Sequence, residues 1–167
     1  MLLSADTNQG FLPMIRNLIC AALLVSMSAC ASAAKRTETP PPATAPAASD
    51  AETVVRTFLA AYNRHDVPAM LELLDTGFVW LNLAGDSVQV ETRGLDALKR
   101  ALESYFRSLP TARSTLETIS SFGPWVSARE RAHWRTPAGD RSQAALSVYE
   151  VRDGRLRRVW YYPAVQE

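Results

Sequence analysis

Glu130 is the side chain with the most chemical content in this sequence. It lies in the alternating run Val126, Ala128, Glu130, Ala132 and Trp134, where every second residue of a strand shares one face. A carboxyl among alanines and an indole is desolvated. Desolvation raises its pKa toward the range of a general acid or base. Gln143, Ala145, Ser147 and Tyr149 form a second alternating run that can lie beside it. If residues 137–140 make a four-residue loop, Ala132 faces Ala145, Glu130 faces Ser147 and Ala128 faces Tyr149. A slip of one residue would turn the whole set outward. The other reading of Glu130 is a solvent-facing carboxylate paired with Arg129 or Arg131 neighbours across the sheet, and the sequence leaves both open.

Phe78, Trp80 and Asn82 alternate on an earlier strand and are expected to line the same interior, joined by Phe58 and Tyr62 from a helix. The expected ligand contacts are therefore Phe58, Tyr62, Trp80, Asn82, Trp134, Gln143, Ser147 and Tyr149. Trp160 and Tyr162 face the Ser147 side if Asp153 and Gly154 form a two-residue turn. Val159 and Tyr161 do so if the loop is a three-residue bulged one.

Other chemistries find little support. His65 and His133 are the two histidines and neither has a ligand partner at i+4, so no metal site is expected. His65 is expected to be exposed in a turn. The sequence has no Gly-X-Ser-X-Gly elbow, phosphate-binding loop or Gly-X-Gly-X-X-Gly, so no cofactor is expected. Eighteen basic and 17 acidic residues give a net charge of +1, which provides no general attraction to nucleic acid. The basic stretch Arg152 to Arg158 reads as the solvated end of a hairpin.

The elements that must position these residues follow from periodicity and punctuation. Ser49 and Glu52 make a capping box, and Val54, Val55, Phe58, Leu59 and Tyr62 recur at helical spacing after it. Asp66 caps a short second helix with Pro68 in its first turn and Gly77 at its exit. Two strands are expected over 78–83 and 88–92, then a third helix after Gly94 that ends at Pro110. Strands follow over 113–122, 125–135, 141–151 and 155–162. The order α-α-β-β-α-β-β-β-β predicts an α+β fold in which three helices of the N-terminal half cover one face of a curved antiparallel sheet. Ala144, Leu146 and Val148 would form an apolar strip on the other face, suited to a homodimer.

Residues 58–66 (Phe-Leu-Ala-Ala-Tyr-Asn-Arg-His-Asp) and 69–74 (Ala-Met-Leu-Glu-Leu-Leu) carry a family resemblance. Glu91-Thr92-Arg93-Gly94 and residues 148–154 (Val-Tyr-Glu-Val-Arg-Asp-Gly) extend it. Over residues 51–163 the chain resembles the nuclear transport factor 2-like superfamily in its polyketide-cyclase-like (SnoaL-like) branch. The resemblance implies a cone in which sheet and helices enclose one pocket, often within a dimer packed through the outer sheet face. Ketosteroid isomerases of this fold use a tyrosine, a protonated aspartic acid and an aspartate base. Phe58, Ser147 and Asn82 fall at those positions here, and none can do the original work.

The N-terminal stretch carries a separate signal. Met14-Ile15-Arg16-Asn17 precedes an apolar run over 18–27, and Ser28-Ala29-Cys30 follows. About ten apolar residues are too few to span a bilayer. The stretch resembles a bacterial lipoprotein signal, with residues 1–29 removed, Cys30 lipidated and translation starting at Met14. A plain secretory signal cut near Ala34 is the other reading. Residues 30–49 read as an Ala/Pro/Thr-rich tether and 50–167 as the folded domain. Ala31 lacks the aspartate that retains enteric lipoproteins at the inner membrane, so the expected location is the outer membrane facing the periplasm. Three functions remain open. They are a tethered domain that binds a small, partly apolar ligand, a cofactor-independent lyase, isomerase or cyclase using Glu130 with Asn82 as an oxyanion donor, and a dimeric interaction module with a filled pocket.

Overall fold

The computed structural model describes residues 50–165. The expectations for the signal, Cys30, the tether and the Ser49 cap lie outside the described residues.

Helix α1 (Asp50–Asn63) buries Val55, Phe58, Leu59 and Ala61, the face set by its apolar spacing. Helix α2 (Val67–Glu72) is capped by Asp66, whose carboxylate accepts from the Ala69 N–H at 3.1 Å, with Pro68 in the first turn. It ends at Leu73 rather than Gly77. Strand β1 (Leu74–Ala84) begins at once, and Asp75 accepts the Gly77 N–H at 2.7 Å.

A two-residue turn links β1 to β2 (Ser87–Arg93), and Gly94 then redirects the chain into α3 (Leu95–Ser108). Gly94 has φ +80°, a conformation any side chain would strain, and its N–H bonds to Phe78 O at 2.8 Å. Leu98, Leu102 and Phe106 of α3 are buried. Each fully buried side chain of this kind contributes roughly 1.5–3 kcal/mol to folding.

Strands β3 (Arg113–Phe122), β4 (Trp125–Thr136), β5 (Gly139–Arg152) and β6 (Arg155–Tyr161) complete a curved six-stranded sheet of order β2-β1-β6-β5-β4-β3. The architecture is the α+β cone expected from the sequence. Four of its five strand junctions are antiparallel. The exception is β1 against β6, which run parallel because the β3–β6 meander returns to β1 from the far side of the sheet.

One turn differs from expectation, and a second combines the two alternatives left open for it. Pro137 and Ala138 alone close the β4–β5 hairpin, so Ala132 pairs with Gln143, Glu130 with Ala145 and Ala128 with Ser147. The two residues gained by the ladder shift the partners by two and leave every side chain on its expected face. Between β5 and β6, Asp153 (φ +51°) and Gly154 (φ +71°) make the two-residue turn. A register shift after the Val151–Leu156 pair then leaves Arg157 extra, so Val159 and Tyr161 point inward rather than Trp160 and Tyr162.

On the outer face Leu146 is exposed, and Trp125 and Trp160 pack together at 5.7 Å. Ala144 is buried there and pairs with Val165, which extends the sheet beyond β6.

Candidate functional site

The inner face of β4 carries Val126, Ala128, Glu130, Ala132 and Trp134, and Glu130 is 5% exposed. Its guanidinium neighbours in sequence turn the other way, where Arg129 and Arg131 both pair with Glu117. Strand alternation therefore excludes the solvent-facing reading of Glu130.

Four hydroxyls converge on this carboxyl. Ser147 Oγ and Tyr149 Oη (2.6 Å) donate to Oε1, Ser114 Oγ lies 3.3 Å from Oε2, and Tyr161 Oη is 3.1 Å from Oε2. A carboxylate has about four acceptor positions, so these hydroxyls can fill them. No ion pair reaches Glu130 among the described residues. Burial raises the Glu130 pKa above the ordinary glutamate range, and the hydrogen bonds from Ser147, Tyr149, Tyr161 and Ser114 pull against that rise. Burial likewise pushes the Tyr62, Tyr149 and Tyr161 phenols well above their usual value, with the Glu130 charge adding to each. The phenols therefore stay protonated and able to donate.

Each partner is placed by its element. Ser147 and Tyr149 follow Glu130 around the β4–β5 ladder on the inner face. Tyr161 arrives through the Arg157 bulge and stacks on Trp80 at 5.1 Å with 12° between planes. Ser114 is held by Asn63 at the end of α1, whose carboxamide accepts the Ser114 N–H at 2.7 Å and donates to its carbonyl at 2.8 Å. The amide thus acts as a one-residue strand partner that clamps β3 to the helix.

Above Glu130 lies a cavity of about 90 Å³. Its walls are Phe58, Leu59, Tyr62, Trp80, Leu102, Tyr105, Leu109, Trp134 and Tyr161, with Ser114, Glu130 and Gln143 as polar contacts and Ala132 and Ala145 leaving the space open. Tyr62 donates to Tyr105 Oη at 3.1 Å on one wall. The buried carboxamide oxygen of Gln143 has no hydrogen-bond partner, and a buried group in that state carries a free-energy penalty that a bound donor would relieve.

Of the residues expected from sequence, Phe58, Tyr62, Trp80, Glu130, Trp134 and Gln143 line this cavity together. Ser147 and Tyr149 do not. Both are fully buried behind Glu130, with their hydroxyls committed to its carboxyl. Asn82 is not among the lining residues either. It sits on the inner face nearer the sheet edge, where Glu91, the extra residue of a β2 bulge, accepts from its Nδ2 at 3.0 Å. That bond uses one of the two Nδ2 hydrogens, and it is its place outside the cavity lining that sets Asn82 apart from the site. His65 is half-buried rather than exposed, stacked on Phe106 at 4.1 Å.

Tyr161, Tyr105 and Ser114 were not among the expected contacts. Tyr161 had a signal in the alternative β6 register. Ser114 had none, because its position depends on the Asn63 clamp, a contact between residues 51 apart. No cluster of histidine, cysteine, aspartate or glutamate able to hold a metal ion occurs among the described residues.

A cone of this topology, closed by three helices over an aromatic pocket with a buried acid at its floor, defines a class of α+β pocket domains. The sequence profile of the SnoaL-like domain matches residues 55–159, and the chain belongs to that family. Solved structures share the fold. A protein described as a SnoaL-like polyketide cyclase from Shewanella denitrificans superposes with a TM-score of 0.59 at 13% identity, covering 69% of this chain and 90% of that one. An epoxide hydrolase of the LEH-like type from M. tuberculosis gives 0.57 at 21% identity, covering 70% and 84%. A cystatin-fold protein from Novosphingobium aromaticivorans gives 0.59 at 20% identity, covering 68% and 97%. A search of curated protein sequences found no significant match.

Proposed function

We propose that this SnoaL-like domain binds a small, partly apolar organic ligand inside the cone, with Glu130 and Gln143 as its polar anchors. The observation that carries the reading is the open cavity itself. A domain serving only as an interaction module could fill the cone with core side chains, whereas here alanines at 132 and 145 leave room among aromatic walls. A thermal-shift screen against small organic metabolites tests it, with Ala145→Phe as the control. Ligands should stabilise the wild type and lose their effect when phenylalanine occupies the space. A hit that stabilises both proteins equally binds elsewhere and contradicts the reading.

The raised pKa of Glu130 supports a second reading, in which the cone is a cofactor-independent lyase, isomerase or cyclase and Glu130 exchanges the proton. Loss of turnover in Glu130→Gln, with ligand affinity retained, would select it.

The location is proposed from the sequence alone. Cys30 lipidation would tether the domain to the outer membrane facing the periplasm, and replacing Cys30 by serine should then release the protein from the membrane fraction. The exposed Leu146 and the Trp125–Trp160 pair support a homodimer through the outer sheet face. Light scattering that finds a monomer at high concentration would count against that dimer.

A further inference from the structure

We infer that the ligand of this cavity is an organic cation, a protonated amine carried on an apolar or aromatic body. The inference rests on the ligand-binding reading above and adds the charge of what binds.

The first argument is charge balance. Glu130 is surrounded by four hydroxyls that can all donate, the arrangement that an ionised carboxylate requires. None of the cavity-lining residues is a lysine, arginine or histidine. Arg113 is the cation that acts on nearby Tyr62, and its guanidinium is turned toward Ala112 O and His65 Nε2, both at 2.7 Å. A buried carboxylate without a counter-charge is costly, and a ligand ammonium would supply the missing charge.

The second argument is the chemistry of the walls. Trp80, Trp134, Tyr62 and Tyr105 present aromatic surface around the carboxyl, and aromatic faces attract cations most strongly where water is excluded. The third is Gln143. Its unpartnered oxygen offers an acceptor for an ammonium N–H, and an ammonium has three such donors to distribute. Carboxylate, amide oxygen and aromatic faces all favour positive charge, and all would repel an anion.

Three probes of matched shape test this on the full chain at about pH 7, where an alkylamine is protonated. They are 2-phenylethylamine, 2-phenylethanol and phenylacetate, titrated against the intrinsic fluorescence of the protein and checked by calorimetry. The amine should bind at least about tenfold more tightly than the alcohol, and phenylacetate should not bind measurably. In Glu130→Gln the amine and alcohol affinities should converge to within about threefold, because the carboxylate charge is gone. If that variant does not fold, the wild-type ranking decides alone. An alcohol that binds as well as the amine, or an acid that binds better, overturns the cation inference and leaves the ligand-binding reading standing. If none of the three binds, the cation inference falls, and the metabolite screen with Ala145→Phe decides the ligand-binding reading separately.

Discussion

Tyr161 Oη lies 3.1 Å from Glu130 Oε2, 3.2 Å from Oε1 and 3.0 Å from Tyr149 Oη, so one phenol spans both carboxylate oxygens and the neighbouring phenol. Its ring also lines the cavity and stacks on Trp80. Tyr161, like Ser114, thus touches both the buried acid and the ligand space.

Replacing Tyr161 by phenylalanine keeps the ring and removes that donor. The bond from Tyr161 holds the Glu130 pKa down, so its loss should raise that pKa further. Stability should fall by about 1–3 kcal/mol, the range for depriving a buried acceptor of its partner. Urea unfolding and a carboxyl titration check the two effects separately. An unchanged Glu130 pKa would show that the Tyr161 contact does not act on the charged form.

The pH dependence of stability has a definite sign. Glu130 has an ordinary pKa of about 4.3 in the unfolded chain and a higher one in the native state. Between those two values the native state binds more protons than the unfolded state, so stability decreases as pH rises through that window and levels off above it. Glu130→Gln should remove this decrease. Wild type and variant unfolded at a series of pH values should therefore differ in slope across the window. Parallel curves would mean that Glu130 is not desolvated.

Asn63→Ala should destabilise the fold by about 1–3 kcal/mol, since it leaves the Ser114 N–H and carbonyl without their partners. The Ser114 hydroxyl should also lose its hold on Glu130. Asn63→Ala should therefore weaken ligand binding as well as folding. Ser114→Ala keeps the clamp, and its effect should be confined to the carboxyl. Equal stability losses in the two variants would contradict the clamp.

Leu98 is completely buried between α3 and the rest of the core, and Leu98→Ala should cost about 2–5 kcal/mol through the void it leaves. Denaturant unfolding measures it directly. A loss below about 1 kcal/mol would show that the helix layer closes up over the gap.

The fold was legible because its signals are local. Gly94, Pro110 and the Asp66 cap mark the helix ends, and alternation along β4 and β5 assigned Glu130, Ala132, Trp134, Gln143 and Ala145 to the interior. The misjudged Pro137–Ala138 turn did no harm, because an error of two residues preserves the face of a strand. A single extra residue does the opposite. The bulge at Arg157 decides whether Tyr161 or Trp160 enters the cone, and the one at Glu91 brings a carboxylate to Asn82. Neither bulge has a glycine at the extra position or any other strong sequence mark. Ser147 and Tyr149 were placed on the right face, but their depth behind Glu130 depends on the curvature of the whole sheet. Depth, unlike face, is not written in a two-residue period.

The most direct measurement is a ¹³C-carboxyl NMR titration of Glu130, with and without saturating 2-phenylethylamine. In the free protein the midpoint should lie above the ordinary glutamate range, and the bound ammonium should lower it while shifting the resonance. An ordinary midpoint that the amine leaves untouched would contradict the account of Glu130 as a buried acid at the floor of a ligand site.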